Sequence, residues 1–335
     1  MRVAVIGAGS WGTTVAALSG THATVKLWAR KPETAEAINE AGSNPIYLPD
    51  LRLPPSVVAT ADLEEALDRA EVVVMAVPSH GFRAVVREAV SFVPSGVPIV
   101  SLTKGIEQDS RRRMTEIVLE ELDHAPQRVG VLTGPNLARE IAAGQPAATV
   151  IAMQDEWEAT RLQKLFMGPT FRVYTNPDVV GCEAAGALKN VMAIAAGMSH
   201  GLGYGDNSNA TLITRALAEL TRLGVSMGGK PLTFAGLAGM GDLVATCTSD
   251  QSRNRRVGVA LGRGDTLDDI VSEMRMVAEG VKTTAAVLEL ASEHEIEMPI
   301  AATVGIVLYE GVHPADMVER LMGRTAKAEL HGIGE

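Results

Sequence analysis

The chain has 335 residues, 46% of them hydrophobic and 21% charged, with a formal net charge of −10. This is the composition of an ordinary soluble globular protein with room for two domains, and the acidic balance excludes a general nucleic-acid surface. Cys182 and Cys247 offer neither a metal-ligand spacing nor a disulfide framework, so no metal is expected and a cytoplasmic setting is.

Met1-Arg2 leads into an apolar run too short for a signal peptide or a membrane span. Val3-Ala4-Val5-Ile6 is a β-branched run suited to a strand buried on both faces. It enters Gly7-Ala8-Gly9-Ser10-Trp11-Gly12, and residues 13–18 follow as a helix. The pattern G-x-G-x-x-G in a strand–turn–helix context points to dinucleotide binding. Gly7 permits the turn, Gly9 admits a pyrophosphate to the backbone, and Gly12 lets helix and strand pack closely. The helix N-terminus then supplies backbone donors to the phosphates. The competing reading is a glycine turn that only packs.

A second strand, residues 24–28, leads to Arg30 and Lys31. NAD sites of this type place an acid near here, on the ribose 2′-hydroxyl. Two cations suit the 2′-phosphate of NADP instead; Glu33 weighs against this, and exposed cations at a strand end are the alternative. A helix at 32–41 and a Pro-rich loop at 42–55 follow. Strands at 71–77, 97–102 and 128–132 alternate with helices at 81–92 and 111–122. The arginines at 111, 112 and 113 are expected on a solvated helix face. Such alternation means parallel βαβ units with ligands at the carboxyl ends of strands. At those ends stand Thr103-Lys104-Gly105 and Thr133-Gly134-Pro135-Asn136, the latter opening a helix at 137–143. Lys104 reads equally as a surface lysine, and Gly134 and Asn136 as turn and cap. Two apolar runs flanking a helix at 155–166 complete the sheet.

After Asn176-Pro177 the strands stop. Helices are expected at 181–200, 207–223, 253–261, 280–294 and 299–309. The expected architecture is a Rossmann-type doubly wound α/β domain over residues 1–176, binding a dinucleotide. An all-α domain over residues 177–335 follows, binding substrate and carrying the catalytic group.

In the helix at 181–200 nearly every side chain is small or apolar, except Lys189. Its neighbours three and four residues away are Ala185, Gly186, Met192 and Ala193, so its own helix offers no carboxylate. An unpaired buried ammonium costs on the order of several kcal/mol, so it must find a partner, lose its proton or reach a cavity. The alternative is a lysine whose head snorkels to the surface. Asp242, after the glycines at 236, 239 and 241, suits a helix cap and equally a partner for Lys189. Ser252-Arg253-Asn254, at a helix start, can clasp a phosphate monoester, with Arg255 and Arg256 facing solvent.

The set Gly-x-Gly-Ser-Trp-Gly, Thr-Lys-Gly, Gly-Pro-Asn, Leu-Lys-Asn, Gly-Asp-Leu-x-x-Thr-Cys and Ser-Arg-Asn closely resembles bacterial NAD(P)-dependent glycerol-3-phosphate dehydrogenases. The motifs run in family order from Gly7 to Gly280. The resemblance implies reversible hydride transfer between NAD(P)H and dihydroxyacetone phosphate, giving sn-glycerol 3-phosphate for glycerophospholipid synthesis. It makes Lys189 the general acid/base and puts Lys104, Gly134, Asn136, Asp242, Ser252, Arg253 and Asn254 at the substrate. Ser10, Trp11, Arg30, Lys104, Ala138, Arg253, Val277 and Glu279 would meet the cofactor, with the glycines and Lys31 named above. The family has Ser-Phe where this chain has Asn136-Leu137, and the amide still donates a hydrogen bond.

Three alternatives stand beside this reading. A reductase acting on ketopantoate or a β-hydroxy acid would bind a carboxylate. An NADP-sensing module would bind cofactor without turnover. A nucleotide-fold methyltransferase would want an acid where Arg30-Lys31 stands. The Ala/Met-rich helices also lead us to expect a homodimer through the second domain.

Overall fold

The computed structural model describes residues 1–273, 278–329 and 332. The chain forms two compact units. The first comprises Met1–Lys104 and Arg113–Val179; the second comprises Gly105–Arg112 and Val180–Glu335.

The first unit is built on one sheet. Its strands are β1 Arg2–Ile6, β2 Thr24–Trp28, β3 Val57–Thr60, β4 Val72–Met75, β5 Ile99–Ser101, β6 Val129–Thr133, β7 Ala147–Ala152 and β8 Phe171–Asn176. Their spatial order is β3-β2-β1-β4-β5-β6-β7-β8. The strands from β3 to β6 are parallel, with Ile6 opposite Trp28 and Met75, the doubly wound Rossmann-type arrangement. Strand side chains alternate between two cores. Val3, Val5, Leu27, Val72 and Val74 enter one, and Ala4, Ile6, Trp28, Val73 and Met75 the other. A sheet covered on both faces accounts for the unbroken apolar runs in its central strands.

Two features depart from the sequence reading. β7 runs antiparallel to β6, with Val131 opposite Ala152. The connection between them carries only the five-residue helix Ala138–Ala142. A helix that short rises about 7.5 Å, too little to return along a strand of about 17 Å, so the chain turns back instead. The second feature is β3, an edge strand just past the Pro-rich loop at 42–55, in a stretch to which the sequence reading assigned no element. Asn39, on the helix Pro32–Ala41, satisfies that edge: its amide donates to Ala59 O and accepts from Ala59 N, both at 2.8 Å.

The second unit is helical among its described residues. Val179–Gly201 leads into it, followed by Asp206–Ser226, Asp242–Thr248, Arg253–Arg263, Glu279–Glu293, Pro299–Glu310 and Pro314–Met322 as its main helices. Leu188, Val191, Met192, Leu220, Leu223, Phe234, Leu243 and Val304 form its core. Val179–Gly201 is long and apolar enough to cross a bilayer, but 94% of its most apolar window is buried inside the protein. Gly105–Arg112 belongs to this unit through Ile106, buried in the helical core, and through Arg111, which pairs with Glu289 at 3.2 Å and Glu293 at 2.9 Å. The arginines at 111, 112 and 113 precede the helix Met114–Glu121 and do not lie along it. Glu116 holds that helix start by accepting from Arg113 N at 2.8 Å.

Candidate active site

In the first unit the fingerprint glycines divide their tasks. Gly7 has φ +124°, and a Cβ there would lie 2.5 Å from Ala76 O; one on Gly12 would lie 2.0 Å from Gly7 O. Both positions are closed by protein backbone. A Cβ on Gly9 would meet nothing within 4 Å, so open space lies against the backbone there. Gly9 also starts the helix Ser10–Gly20, with no side-chain cap and no acid in the first turn. Unpaired helix N–H groups beside open space fit a dinucleotide pyrophosphate. Among the described residues three buried side-chain polar atoms have no partner in the chain: Trp11 Nε1, Thr133 Oγ1 and Asn136 Oδ1. Buried polar atoms are normally bonded, so these suit contacts with a polar ligand.

Around the strand ends, Lys104 Nζ donates to Gly134 O at 2.8 Å, and Gly134 itself has φ +143°. Asn136 Nδ2 donates to Thr149 Oγ1 at 3.1 Å, and Thr149 donates to Thr133 O at 2.8 Å. Lys104, Gly134 and Asn136 are thus brought together, and Ala138 opens the next helix. Arg30 and Lys31 are both exposed just beyond β2. Lys31 Nζ lies 3.9 Å from Glu33 Oε1, a loose and solvated pair.

In the second unit Lys189 is only 5% exposed. Its Nζ donates to Thr246 Oγ1 at 2.6 Å and lies 3.2 Å from Asp242 Oδ1. The ammonium therefore has a buried partner and does not snorkel. Asp242 is the first residue of the helix Asp242–Thr248 and not its N-cap, since the π-helical turn Leu237–Gly241 runs directly into that helix. A Cβ at Gly239 would lie 2.1 Å from Phe234 O, so the tight approach of that turn requires glycine. Thr246 donates to Asp242 O at 2.6 Å, which orients its oxygen to receive the lysine. Burial pushes the neighbouring Cys247 thiol up to about 12, with Lys189 opposing the rise, so this sulfur stays protonated at neutral pH.

Ser252 caps the helix Arg253–Arg263, its oxygen accepting from Arg255 N at 3.2 Å. Arg253 is exposed. Asn254 is buried and tied on both sides: its Nδ2 donates to Asn190 Oδ1 at 2.9 Å, and its Oδ1 accepts from Gly280 N at 2.9 Å. Arg256 is exposed, but Arg255 corrects the expectation of a solvated pair. Its side chain is 10% exposed and bonds the exposed Asp250 at 2.5 Å. Glu279 is the first residue of Glu279–Glu293. Val277 lies outside the described residues.

The sequence reading gave no role to Thr246 or Asn190. The signal for Thr246 is its spacing of four from Asp242, which puts both on one helix face once the loop is read as a helix. Asn190 gives no such signal, since its partner lies 64 residues away.

A cavity of about 1190 Å³ lies elsewhere in the helical unit, lined by a mixture of apolar, polar and charged side chains that includes Arg215, Glu219 and Arg222. None of the candidate catalytic residues lines it. Glu219, 2% exposed, accepts from Ile300 N at 2.8 Å and Ala301 N at 3.3 Å, capping the helix Pro299–Glu310. Burial pushes its carboxyl up to about 7, against the pull of those two amides and of Arg222 and Arg215.

Residues 2–159 match the NAD-dependent glycerol-3-phosphate dehydrogenase N-terminus, and residues 178–319 match the C-terminus of the same family. A glycerol-3-phosphate dehydrogenase (NAD(P)+) of Sphingopyxis alaskensis is 54% identical over 331 residues, covering 99% of each chain. The crystal structure of glycerol-3-phosphate dehydrogenase from Coxiella burnetii superposes with a TM-score of 0.91 at 38% identity, covering 96% of this chain and 99% of that one. A ketopantoate reductase from Ralstonia eutropha shares only the fold, at 17% identity and a TM-score of 0.58, covering 95% of this chain and all of its own. With both halves matched and a relative identical at more than half its positions, the chain belongs to the NAD(P)-dependent glycerol-3-phosphate dehydrogenases.

Proposed function

We propose that this enzyme of the glycerol-3-phosphate dehydrogenase family interconverts dihydroxyacetone phosphate and sn-glycerol 3-phosphate, with Lys189 as its general acid and base. The observation that carries the reading is the buried Lys189 ammonium, oriented by Thr246 and Asp242. Reduction of a ketone needs a hydride at carbon and a proton at oxygen. Bound NAD(P)H supplies the hydride. Of the three N–H groups on a lysine, Thr246 and Asp242 engage two, leaving one to reach the carbonyl oxygen. Lys189 stabilises the developing alkoxide and hands it that proton; in the reverse direction it takes the hydroxyl proton back.

Arg253 supplies the charge for the substrate phosphate, joined by the Ser252 hydroxyl and the one N–H of Asn254 that Asn190 does not use. Fixing the distant phosphate holds the carbonyl at the proton donor. Lys104, Gly134 and Asn136 contact the substrate. Gly7, Gly9, Ser10, Trp11, Gly12, Arg30, Lys31, Lys104, Ala138, Arg253, Val277 and Glu279 serve the cofactor. The Arg30 and Lys31 cations favour the 2′-phosphate, and hence NADP over NAD. On this reading residues 1–176 form the dinucleotide-binding domain, and residues 177–335 the helical domain for substrate binding and catalysis.

The product feeds glycerophospholipid synthesis in the cytoplasm, where buried free thiols such as Cys182 and Cys247 are at home. The protein works as a homodimer through the helical unit, which leaves Leu232 and Met322 strongly exposed. Light scattering at micromolar concentration tests the dimer: the 35.3 kDa monomer mass would refute it. The activity is tested by NADPH absorbance with dihydroxyacetone phosphate beside unphosphorylated dihydroxyacetone. Strong preference for the phosphorylated ketone is expected, and no oxidation of NADPH with it would overturn the reading.

A further inference from the structure

Two helices of the second unit meet backbone to backbone. Val179–Gly201 contributes Asn190, Ile194, Gly197 and Gly201, which share one helical face by their spacing. Arg253–Arg263 contributes Asn254, Gly258 and Gly262. A Cβ on Gly258 would lie 2.0 Å from Ile194 O and 2.9 Å from Gly197 Cα; one on Gly197 would lie 2.1 Å from Arg255 O. At the next turn a Cβ on Gly201 would lie 2.4 Å from Val259 O, and one on Gly262 would lie 2.5 Å from Met198 O. Every obstructing atom named is main chain, so no rotamer change relieves the clash. Glycine is a poor helix former, so its use four times along one contact requires a packing reason. That reason is backbone approach, which only glycine permits here.

The seam ends at the candidate site. Its last pair is Asn190 with Asn254, and Asn254 also accepts from Gly280 N. A Cβ on Gly280 would lie 2.7 Å from Asn190 O, so this junction is equally tight. Lys189 is one residue from Asn190, and Arg253 is one residue from Asn254. The proton donor and the phosphate ligands therefore stand on two helices whose separation no flexible side chain adjusts.

We infer that this glycine seam is a ruler for the substrate: it sets the span from Lys189 to the Ser252–Asn254 group. It thereby selects ketones whose carbonyl and phosphate are as far apart as in dihydroxyacetone phosphate. Gly197 and Gly258 are positioning residues that act through Lys189 and Arg253. The inference rests on the roles proposed above for those two. A substrate held at both ends feels the span, whereas an unphosphorylated ketone, held at one end, does not.

The test is Gly258→Ala in the full-length enzyme, with folding checked by circular dichroism and NADPH affinity by fluorescence titration. A displacement of about 1 Å at a reacting centre lowers rates on the order of 100-fold. We expect kcat for dihydroxyacetone phosphate to fall at least about tenfold, with the slow turnover of dihydroxyacetone and the NADPH affinity little changed. The loss should be smaller for a phosphorylated ketone one carbon longer. Equal proportional losses on both ketones, as mere destabilisation would give, overturn the ruler. Should Gly258→Ala not fold, Gly201→Ala widens the outer turn of the same seam. A folded Gly201→Ala enzyme with an unchanged ratio of the two activities overturns the inference equally. A wild-type enzyme that does not prefer the phosphorylated ketone would instead refute the site assignment itself.

Discussion

Lys189 and Asp242 form a buried ion pair, Nζ to Oδ1 at 3.2 Å, and Thr246, one turn along the helix from Asp242, accepts from Lys189 and donates to Asp242 O. Two charges out of water contribute little net stability beside an apolar pair of the same shape. What the arrangement provides is direction, because a lysine held by two fixed oxygens has one N–H left with a defined aim.

Removing the proton donor should separate chemistry from binding. Lys189→Ala should depress kcat by roughly 10²–10⁴-fold with NADPH binding retained. Thr246→Val keeps the shape but removes one hydrogen bond, about 1 kcal/mol, so kcat should fall roughly five- to tenfold while Thr246→Ser stays near wild type. Steady-state kinetics of the three variants check this. A Thr246→Val enzyme with wild-type kcat would show that the hydroxyl does not orient the lysine.

Arg253 should fail differently. Arg253→Ala removes a charge-assisted contact worth about 1.5–3 kcal/mol, so KM for dihydroxyacetone phosphate should rise roughly 10- to 100-fold. The slow reaction of unphosphorylated dihydroxyacetone should hardly change. Loss of both reactions in a folded variant would mean that Arg253 is no dedicated phosphate ligand.

For the cofactor, Arg30→Asp places a carboxylate where a 2′-phosphate is expected and where a 2′-hydroxyl would welcome it. Its kcat/KM with NADPH should fall far more than with NADH. Equal losses with the two cofactors would sink the assignment of Arg30 to the 2′-phosphate.

Glu219 makes stability depend on pH. Its folded value, about 7, lies above the ordinary 4.5, so the folded state binds the proton more tightly than the unfolded chain does. Stability from this group is fully present below about pH 4.5, declines as pH rises toward about 7 and is level above. The difference is on the order of 3 kcal/mol. Glu219→Gln keeps an acceptor for Ile300 N and removes the titration. Urea unfolding from pH 4 to pH 8 should show the wild-type curve falling relative to the variant's across that window. Parallel curves would place the carboxyl in its ordinary range.

How much of this is legible in the residues follows from how local each feature is. The strand–turn–helix at Arg2–Gly20 announces itself because Gly7 and Gly12 answer constraints within the motif or just past the adjoining strand. Lys189 stands out because a charge in an apolar helix breaks the local pattern, and its need for a distant carboxylate follows from the cost of burial. The identity of the second oxygen, Thr246, depends on reading residues 237–248 as continuous helix, which three glycines at 236, 239 and 241 conceal. The Asn190–Asn254–Gly280 junction rests on long-range contacts between buried amides that look ordinary one at a time. The antiparallel β7 turns on the length of one short helix, a quantity that apolar periodicity does not resolve.

The excursion Gly105–Arg112 bears on how this architecture is inherited. Since the chain enters the helical unit at Gly105, leaves it after Arg112 and returns at Val180, that unit is not one contiguous cassette. A single recombination crossover near residue 177 would pair a foreign helical bundle with the parental Ile106 and Arg111. Their partners, the buried helical core and the Glu289–Glu293 turn, would come from another lineage. Chimaeras between relatives should therefore be spliced at three points, moving the eight-residue insert together with the bundle it completes.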